Sequence, residues 1–243
     1  MLDQVPSVTK VNQVGDILRE FATMTTASTA RRFSLAQTLE AFEIVEIWRA
    51  AHAKPLQAAT MGLRSRVTTA GCSDMSRVSQ RLKRIPTILD KLRREPGMEL
   101  GRMADIGGCR AVLADLGEVY CVLDRYRKRA APEVVQVRDY IATPKDDGYR
   151  AVHVIVRYHG RRIEVQLRTR VQHEWAYTVE SVTSRFGLAI KSGGGPAPVR
   201  DWFQAVSEAM ALEERGQPVD AELLHRVHTL REAAQPHLHG DRS

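Results

Sequence analysis

Apolar positions along the chain recur at two periods, one near 3.6 residues and one of two, which mark helices and strands respectively. The longer period comes first. It predicts a helix from Val11 to Ala22, followed by a Thr-, Ser- and Ala-rich linker from Thr23 to Arg32. Ser34 and Gln37 have capping-box spacing. They open a helix whose apolar positions Leu35, Leu39, Phe42 and Val45 keep helical spacing, and it runs toward Ala53 ahead of Pro55. Leu56 to Val67 reads as a further helix, and Thr68 to Asp74, with Gly71, breaks the pattern. Arg77 to Arg84 reads as a strand or an extended loop. Pro86 suits the first turn of a helix, where its missing N–H would be unbonded in any case. That helix ends at Glu95, before Pro96 and Gly97.

The period of two then takes over. Cys109 to Leu113 is a short apolar run that reads as a buried strand. Leu116 to Arg129 is helical, with Val119, Val122, Leu123 and Tyr126 on one face, and Glu133 to Tyr140 is a Val-rich strand. Two further strands, Arg150 to Tyr158 and Arg162 to Thr169, flank His159 and Gly160, which suit a two-residue hairpin turn. In that hairpin Tyr158 pairs with Arg161, Val154 with Val165 and Val152 with Leu167, so the apolar face is continuous. The same register sets His153 opposite Gln166 and collects His153, Glu164, Gln166 and Arg168 on the other face. Helical spacing returns at Val171, Trp175, Val179, Val182 and Phe186. A Gly/Pro-rich loop spans Lys191 to Pro198, helices follow at Trp202–Arg215 and Asp220–Ala233, and the last ten residues have no pattern. The order predicts an α+β protein, a mixed sheet of about five strands flanked by helices, with extra helices at both ends. The expected division is a helical segment over 1–70, a sheet-containing domain over 71–190, and C-terminal helices with a frayed tail over 191–243.

Composition narrows the function. With 243 residues, 43% hydrophobic and 27% charged, the chain can bury a core without a staple, and a wholly disordered chain is excluded. The three cysteines lack CxxC spacing, which argues against a disulfide framework or conventional zinc site and fits a reducing, cytoplasmic setting. The N-terminus has no secretory pattern, and no apolar run approaches a membrane span, so no membrane partner is expected. The charge is the positive clue: 36 Lys and Arg against 29 Asp and Glu, a formal +7, favour anionic partners.

Several residues suit such a partner. On the polar strand face, Glu164 can serve a divalent cation while Gln166 and Arg168 orient an anion, although a solvent-facing strand surface would read the same way. Asp105, just ahead of the buried strand, supplies a second carboxylate or, alternatively, a turn residue. Arg81 and Lys83 precede the Pro86 helix, whose N–H groups and dipole favour phosphate. In the loop between Asp139 and Tyr149, Lys145 can meet phosphate or carbonyl oxygens, and Tyr149 can stack on a base or cover the core edge.

The motifs RLKRIPTILDKLRR, MADIGGCRAV, RDYIATPKDDGYRAVH and IEVQLRT, in that order over about residues 77 to 180, resemble the synthetase domain of the RelA/SpoT family. WRAAHAKPL upstream and QHEWAYTVE downstream extend the likeness to its small single-domain branch. The resemblance implies a nucleotidyltransferase-like synthetase fold and transfer of pyrophosphate from ATP to the 3′-OH of GDP or GTP. It implies that Arg81 and Arg110 sandwich adenine and that Lys83 and Lys91 hold ATP phosphates. Asp105 and Glu164 match magnesium carboxylates, Glu164 also being a base for the 3′-OH. Tyr149 matches the aromatic stacked on guanine, and Lys145, His153, Gln166 and Arg168 match surrounding acceptor and phosphate contacts. Two departures stand out. The Glu-His pair that follows Trp-Ala in many small synthetases is replaced by Val179 and Glu180. No histidine precedes an aspartate, so the family's His-Asp hydrolase site is not expected. Two alternatives remain open. One is a toxic synthetase acting on the 3′ end of tRNA, served by Arg125, Arg127, Lys128 and Arg129 and countered by an antitoxin. The other is an inactive RNA- or partner-binding module, which retention of Asp105, Glu164 and Lys83 opposes. Homo-oligomerisation is also left open.

Overall fold

The computed structural model describes residues 5–23, 32–128, 130–186 and 194–238. The linker expected from Thr23 to Arg32, Arg129, the first three residues of the Lys191–Pro198 loop and the extreme C-terminus lie largely or wholly outside them.

Helices α1 (Val8–Thr23), α2 (Leu35–Ala50) and α3 (Ala53–Thr69) lead into strand β1 (Arg77–Leu82) and helix α4 (Ile85–Arg94). Two single 3-10 turns, Leu100–Arg102 and Ala104–Ile106, precede β2 (Gly107–Leu113), α5 (Leu116–Arg127), β3 (Glu133–Asp139), β4 (Val152–Tyr158) and β5 (Arg161–Thr169). Helices α6 (Arg170–Phe186), α7 (Ala197–Glu214) and α8 (Ala221–Leu238) follow. The five strands form one sheet in the order β1-β2-β5-β4-β3. Only β2 and β5 run parallel; the other neighbours are antiparallel, so the sheet is mixed.

The hairpin register is the expected one: Tyr158 pairs with Arg161, Val154 with Val165, and His153 with Gln166. His159 and Gly160 make the turn at φ 47° and 74°, the left-handed pair that a tight hairpin needs. Apolar residues of β2, β4 and β5 face α3 and α5, where Leu56, Leu63, Val119, Val122, Leu123 and Tyr126 complete the main core. A second core joins α1, α2 and α4 through Val14, Leu18, Trp48, Ile88 and Leu92. A third joins α6 to α7 and α8 through Trp175, Val179, Phe203 and Ala234.

Three expectations are corrected. Leu35 and Leu39 are 62% and 58% exposed. Helix α2 carries two apolar stripes, and the one formed by Ala41, Ile44, Val45 and Trp48 is buried. That stripe continues into the C-terminal half, and its residues join the cluster that holds α1 and α4. Arg150 lies outside β4, which begins at Val152; Arg150 is engaged by a distant helix instead. Helix α8 continues past Ala233 to Leu238, anchored by buried Ala234.

Candidate active site

Strand alternation places one side chain in two on the sheet face away from the main core. The pairings Arg81–Gly108, Gly108–Glu164, Arg110–Gln166, His153–Gln166 and Arg138–His153 run across all five strands. They form two adjacent polar rows, Arg81–Gly108–Glu164 and Arg110–Gln166–His153–Arg138, which together floor a cavity of about 530 Å³. Gly108, central in the first of these rows, brings no side chain between Arg81 and Glu164. Every residue assigned above to ATP, the nucleotide acceptor or magnesium lines this cavity: Arg81, Lys83, Lys91, Asp105, Arg110, Lys145, Tyr149, His153, Glu164, Gln166 and Arg168. The walls come from α4, the loop before β4, and the Trp175–Glu180 stretch of α6.

At one end Asp105 stands between two lysines. Lys83 Nζ donates to Oδ2 at 2.9 Å and Lys91 Nζ to Oδ1 at 3.0 Å. Lys83, just past the end of β1, is held in place because its N–H donates to the Ile106 carbonyl at 2.8 Å. Its own carbonyl accepts from Arg49 Nε at 2.7 Å. Lys91 arrives on α4, whose first turn holds Pro86 as expected. Burial alone would raise the Asp105 pKa, but the two ammonium groups outweigh it and hold the carboxyl below its ordinary value.

At the other end the side chains close a ring. The Tyr149 hydroxyl meets His153 Nε2 at 2.8 Å, and His153 Nδ1 donates to Glu164 Oε1 at 3.1 Å. Gln166 Nε2 donates to Glu164 Oε2 at 2.7 Å. Arg168 Nη2 donates both to Gln166 Oε1 at 2.5 Å and to the Tyr149 hydroxyl at 3.3 Å. Both Glu164 oxygens thus accept a bond from groups that are themselves oriented. Burial pushes the Glu164 carboxyl up, and the bonds from His153 and Gln166 bring it below its ordinary range. Burial likewise raises the Tyr149 phenol to about 12. Arg110 is shifted downward by burial and by the guanidiniums of Arg168 and Arg81.

Lys145 Nζ lies 5.1 Å from the centre of the Tyr149 ring and 4.7 Å from that of Tyr140. Tyr140 and Arg138 were not singled out from the sequence, yet both line the cavity. Alternation along β3 places Arg138 beside His153, but a register shift between Val134 and Gln136 hides that pairing from the linear pattern.

Asp105 and Glu164 offer hard carboxylate oxygens to one cavity. No group of three His, Cys, Asp or Glu side chains fit for a metal occurs among the described residues. Two carboxylates fit a magnesium ion that fills its remaining positions with phosphate oxygens and water. They do not suit a metal held by protein alone.

A mixed five-stranded sheet with flanking helices, bearing a cation-rich cavity on its polar face, places the chain among the α+β folds of the small alarmone synthetases. Small alarmone synthetase 1 from Bacillus subtilis, bound to its product pppGpp, aligns at a TM-score of 0.59 and 26% identity, covering 70% of this chain and 94% of that one. A GTP pyrophosphokinase family protein from Streptococcus pneumoniae shares the fold at a TM-score of 0.57 and 24% identity, over 84% and 99% of the two chains. In sequence, residues 80–183 match the region found in RelA/SpoT proteins. GTP pyrophosphokinase YjbM of Bacillus subtilis is 32% identical over 157 residues, 60% of this chain and 72% of the relative. GTP pyrophosphokinase YwaC of the same organism is 29% identical over 120 residues, 44% of this chain and 57% of the relative. The chain belongs to the RelA/SpoT family.

Proposed function

We propose that this protein is a GTP/GDP diphosphokinase, which moves the β,γ-pyrophosphate of ATP to the 3′-OH of GDP or GTP. The observation that carries the reading is the pairing, in one cavity, of the Asp105–lysine cluster with the ring that orients Glu164. Phosphoryl transfer asks mainly for positioning and charge stabilisation, which these two groups supply.

ATP enters on the β1–α4 side. Arg81 and Arg110 flank its adenine, and Lys83 and Lys91 hold its phosphates, trading Asp105 for phosphate oxygens as the nucleotide arrives. The acceptor enters on the β4–β5 side, where Tyr149 stacks on guanine, while Lys145, His153, Gln166 and Arg168 contact its polar edges and phosphates. Glu164 stays ionised at neutral pH and takes the proton of the 3′-OH. The freed oxygen bonds to the β-phosphorus, the bond from that phosphorus to the α,β-bridging oxygen breaks, and AMP leaves. Asp105 and Glu164 would hold the magnesium ion, which neutralises phosphate charge when bound.

The test is to supply β-labelled ATP with GDP, GTP or deacylated tRNA in separate reactions. Label is expected in GDP and GTP. Label in tRNA alone would overturn the reading in favour of an RNA acceptor, and label in none would favour an inactive module.

A further inference from the structure

Helix α7 lies beyond the stretch that matches the family region, yet it reaches the backbone behind the acceptor residues. Glu214, at its last turn, is 7% exposed and pairs with Arg150, itself 4% exposed, at 2.5 Å. Glu214 also accepts from the Thr169 hydroxyl, and from Gln172 Nε2 at 3.4 Å. About two turns earlier on α7, buried Ser207 donates to the Gly148 carbonyl at 2.5 Å and accepts from Arg150 Nε at 3.1 Å. Gly148 is at φ +85°, and a Cβ there would come within 3.0 Å of the Ser207 side chain and 3.1 Å of Gln204 Cα. The loop and α7 therefore touch backbone to backbone.

These contacts have a common feature. Gly148 and Arg150 are the chain neighbours of Tyr149, and Thr169 is the neighbour of Arg168. Thr169 and Gln172 also bond each other's backbone N–H at 3.2 Å, capping α6, which carries the cavity wall. In extended chain, successive side chains point to opposite sides. Tyr149 and Arg168 face the cavity and meet each other at 3.3 Å, while their neighbours reach back to α7.

We propose that Glu214, assisted by Ser207, is a positioning residue for the acceptor half of the site, acting through Arg150 and Thr169 on Tyr149 and Arg168. What the positioned groups do rests on the pyrophosphate-transfer reading; the positioning itself does not. A group that only stabilised the fold would weaken both halves of the site together. Lys83 and Lys91 bond to Asp105, and among the hydrogen bonds and ion pairs of the described residues none links these three to Glu214 or Ser207, so a positioning role is one-sided.

The experiment uses the full chain with Glu214→Gln, Ser207→Ala and, as control, Glu208→Gln, whose partner Arg226 is a surface contact to α8. Transfer is measured with ATP and GDP varied separately, and amide hydrogen exchange is followed across residues 145–150, where Gly148 N–H is bonded to Lys145 and Tyr149 N–H to Asp147. In Glu214→Gln the KM for GDP is expected to rise about tenfold or more, with the KM for ATP within about twofold. Exchange over 145–150 should quicken while that of β2 holds. Ser207→Ala, which changes little volume, is expected to move the same quantities by about threefold and decides the matter if Glu214→Gln does not fold. Glu208→Gln should change nothing. An unchanged KM for GDP, or an equal rise for both substrates, overturns the proposal. If the wild type transfers to neither GDP nor GTP, the transfer reading falls, and exchange over 145–150 alone then decides the positioning: unchanged exchange overturns it, and faster exchange confined to that loop upholds it.

Discussion

At the scale of single residues the site is two carboxylates held in opposite ways. Asp105 is balanced by two ammonium groups, and Glu164 is aligned by His153 and Gln166, which Tyr149 and Arg168 hold in turn. Glu164→Gln removes the charge, and with it the proposed base, while keeping the volume. We expect it to lower transfer by at least about 100-fold, read from initial rates with the melting temperature as a check on folding. Asp105→Asn should lower transfer on the same scale. It should also destabilise the protein by about 2 kcal/mol, because Lys83 and Lys91 lose their charged acceptor. Since the folded Asp105 pKa is depressed, its stabilising contribution is fully present above the ordinary aspartate value of about 4 and is lost as pH falls through the folded value. Thermal melts of wild type and variant should therefore differ by a constant amount from about pH 5 to 8 and converge below about pH 4.

At the scale of elements, local chemistry places the ends and tertiary contact chooses the faces. Ser34 and Gln37 satisfy each other's backbone N–H groups at the start of α2, as a capping box does. Ser34→Ala should cost about 1 kcal/mol, seen as a melting point lower by roughly 2–4 °C, with transfer kinetics unchanged. At the other end of the same helix Arg49 holds the Lys83 carbonyl, so the cap and the site contact can be separated by mutation. The hairpin was legible because a two-residue turn fixes every pair along β4 and β5. The buried stripe of α2 was not, because two stripes fit the helical period and only the partners α1 and α4 distinguish them.

At the scale of the molecule, the sheet separates two functions. Its apolar face carries the main core beneath α3 and α5, and its polar face carries the cavity. Of the cation cluster, Arg125, Arg127 and Lys128 lie at the end of α5, on the core side, and Arg129 falls outside the described residues. Replacing all four with Ser should leave the KM for ATP and for GDP within about twofold. Raising the salt concentration should increase both KM values in wild type and variant alike, because the cations proposed to hold polyphosphate line the cavity itself. A selective loss of transfer in the Ser variant would show that α5 takes part in substrate capture.

The sequence by itself determined most strands and helices, the β4–β5 register, and the polar row Glu164, Gln166, Arg168. These depend on periodicity and turn geometry, which act over a few residues. The residue types of the site were legible for the same reason: chemistry that handles phosphate needs cations and carboxylates, and these stood at regular positions in motifs with a family likeness. Only the tertiary structure decided that β2 lies parallel to β5, which sets Gly108 beside Glu164 and opens the floor of the cavity. It alone brought Asp105 between Lys83 and Lys91, added Arg138 to the row, and seated Glu214 on Arg150 and Thr169. Such contacts join segments far apart in the chain. They are selected by which apolar faces bury together, and no local pattern records that choice.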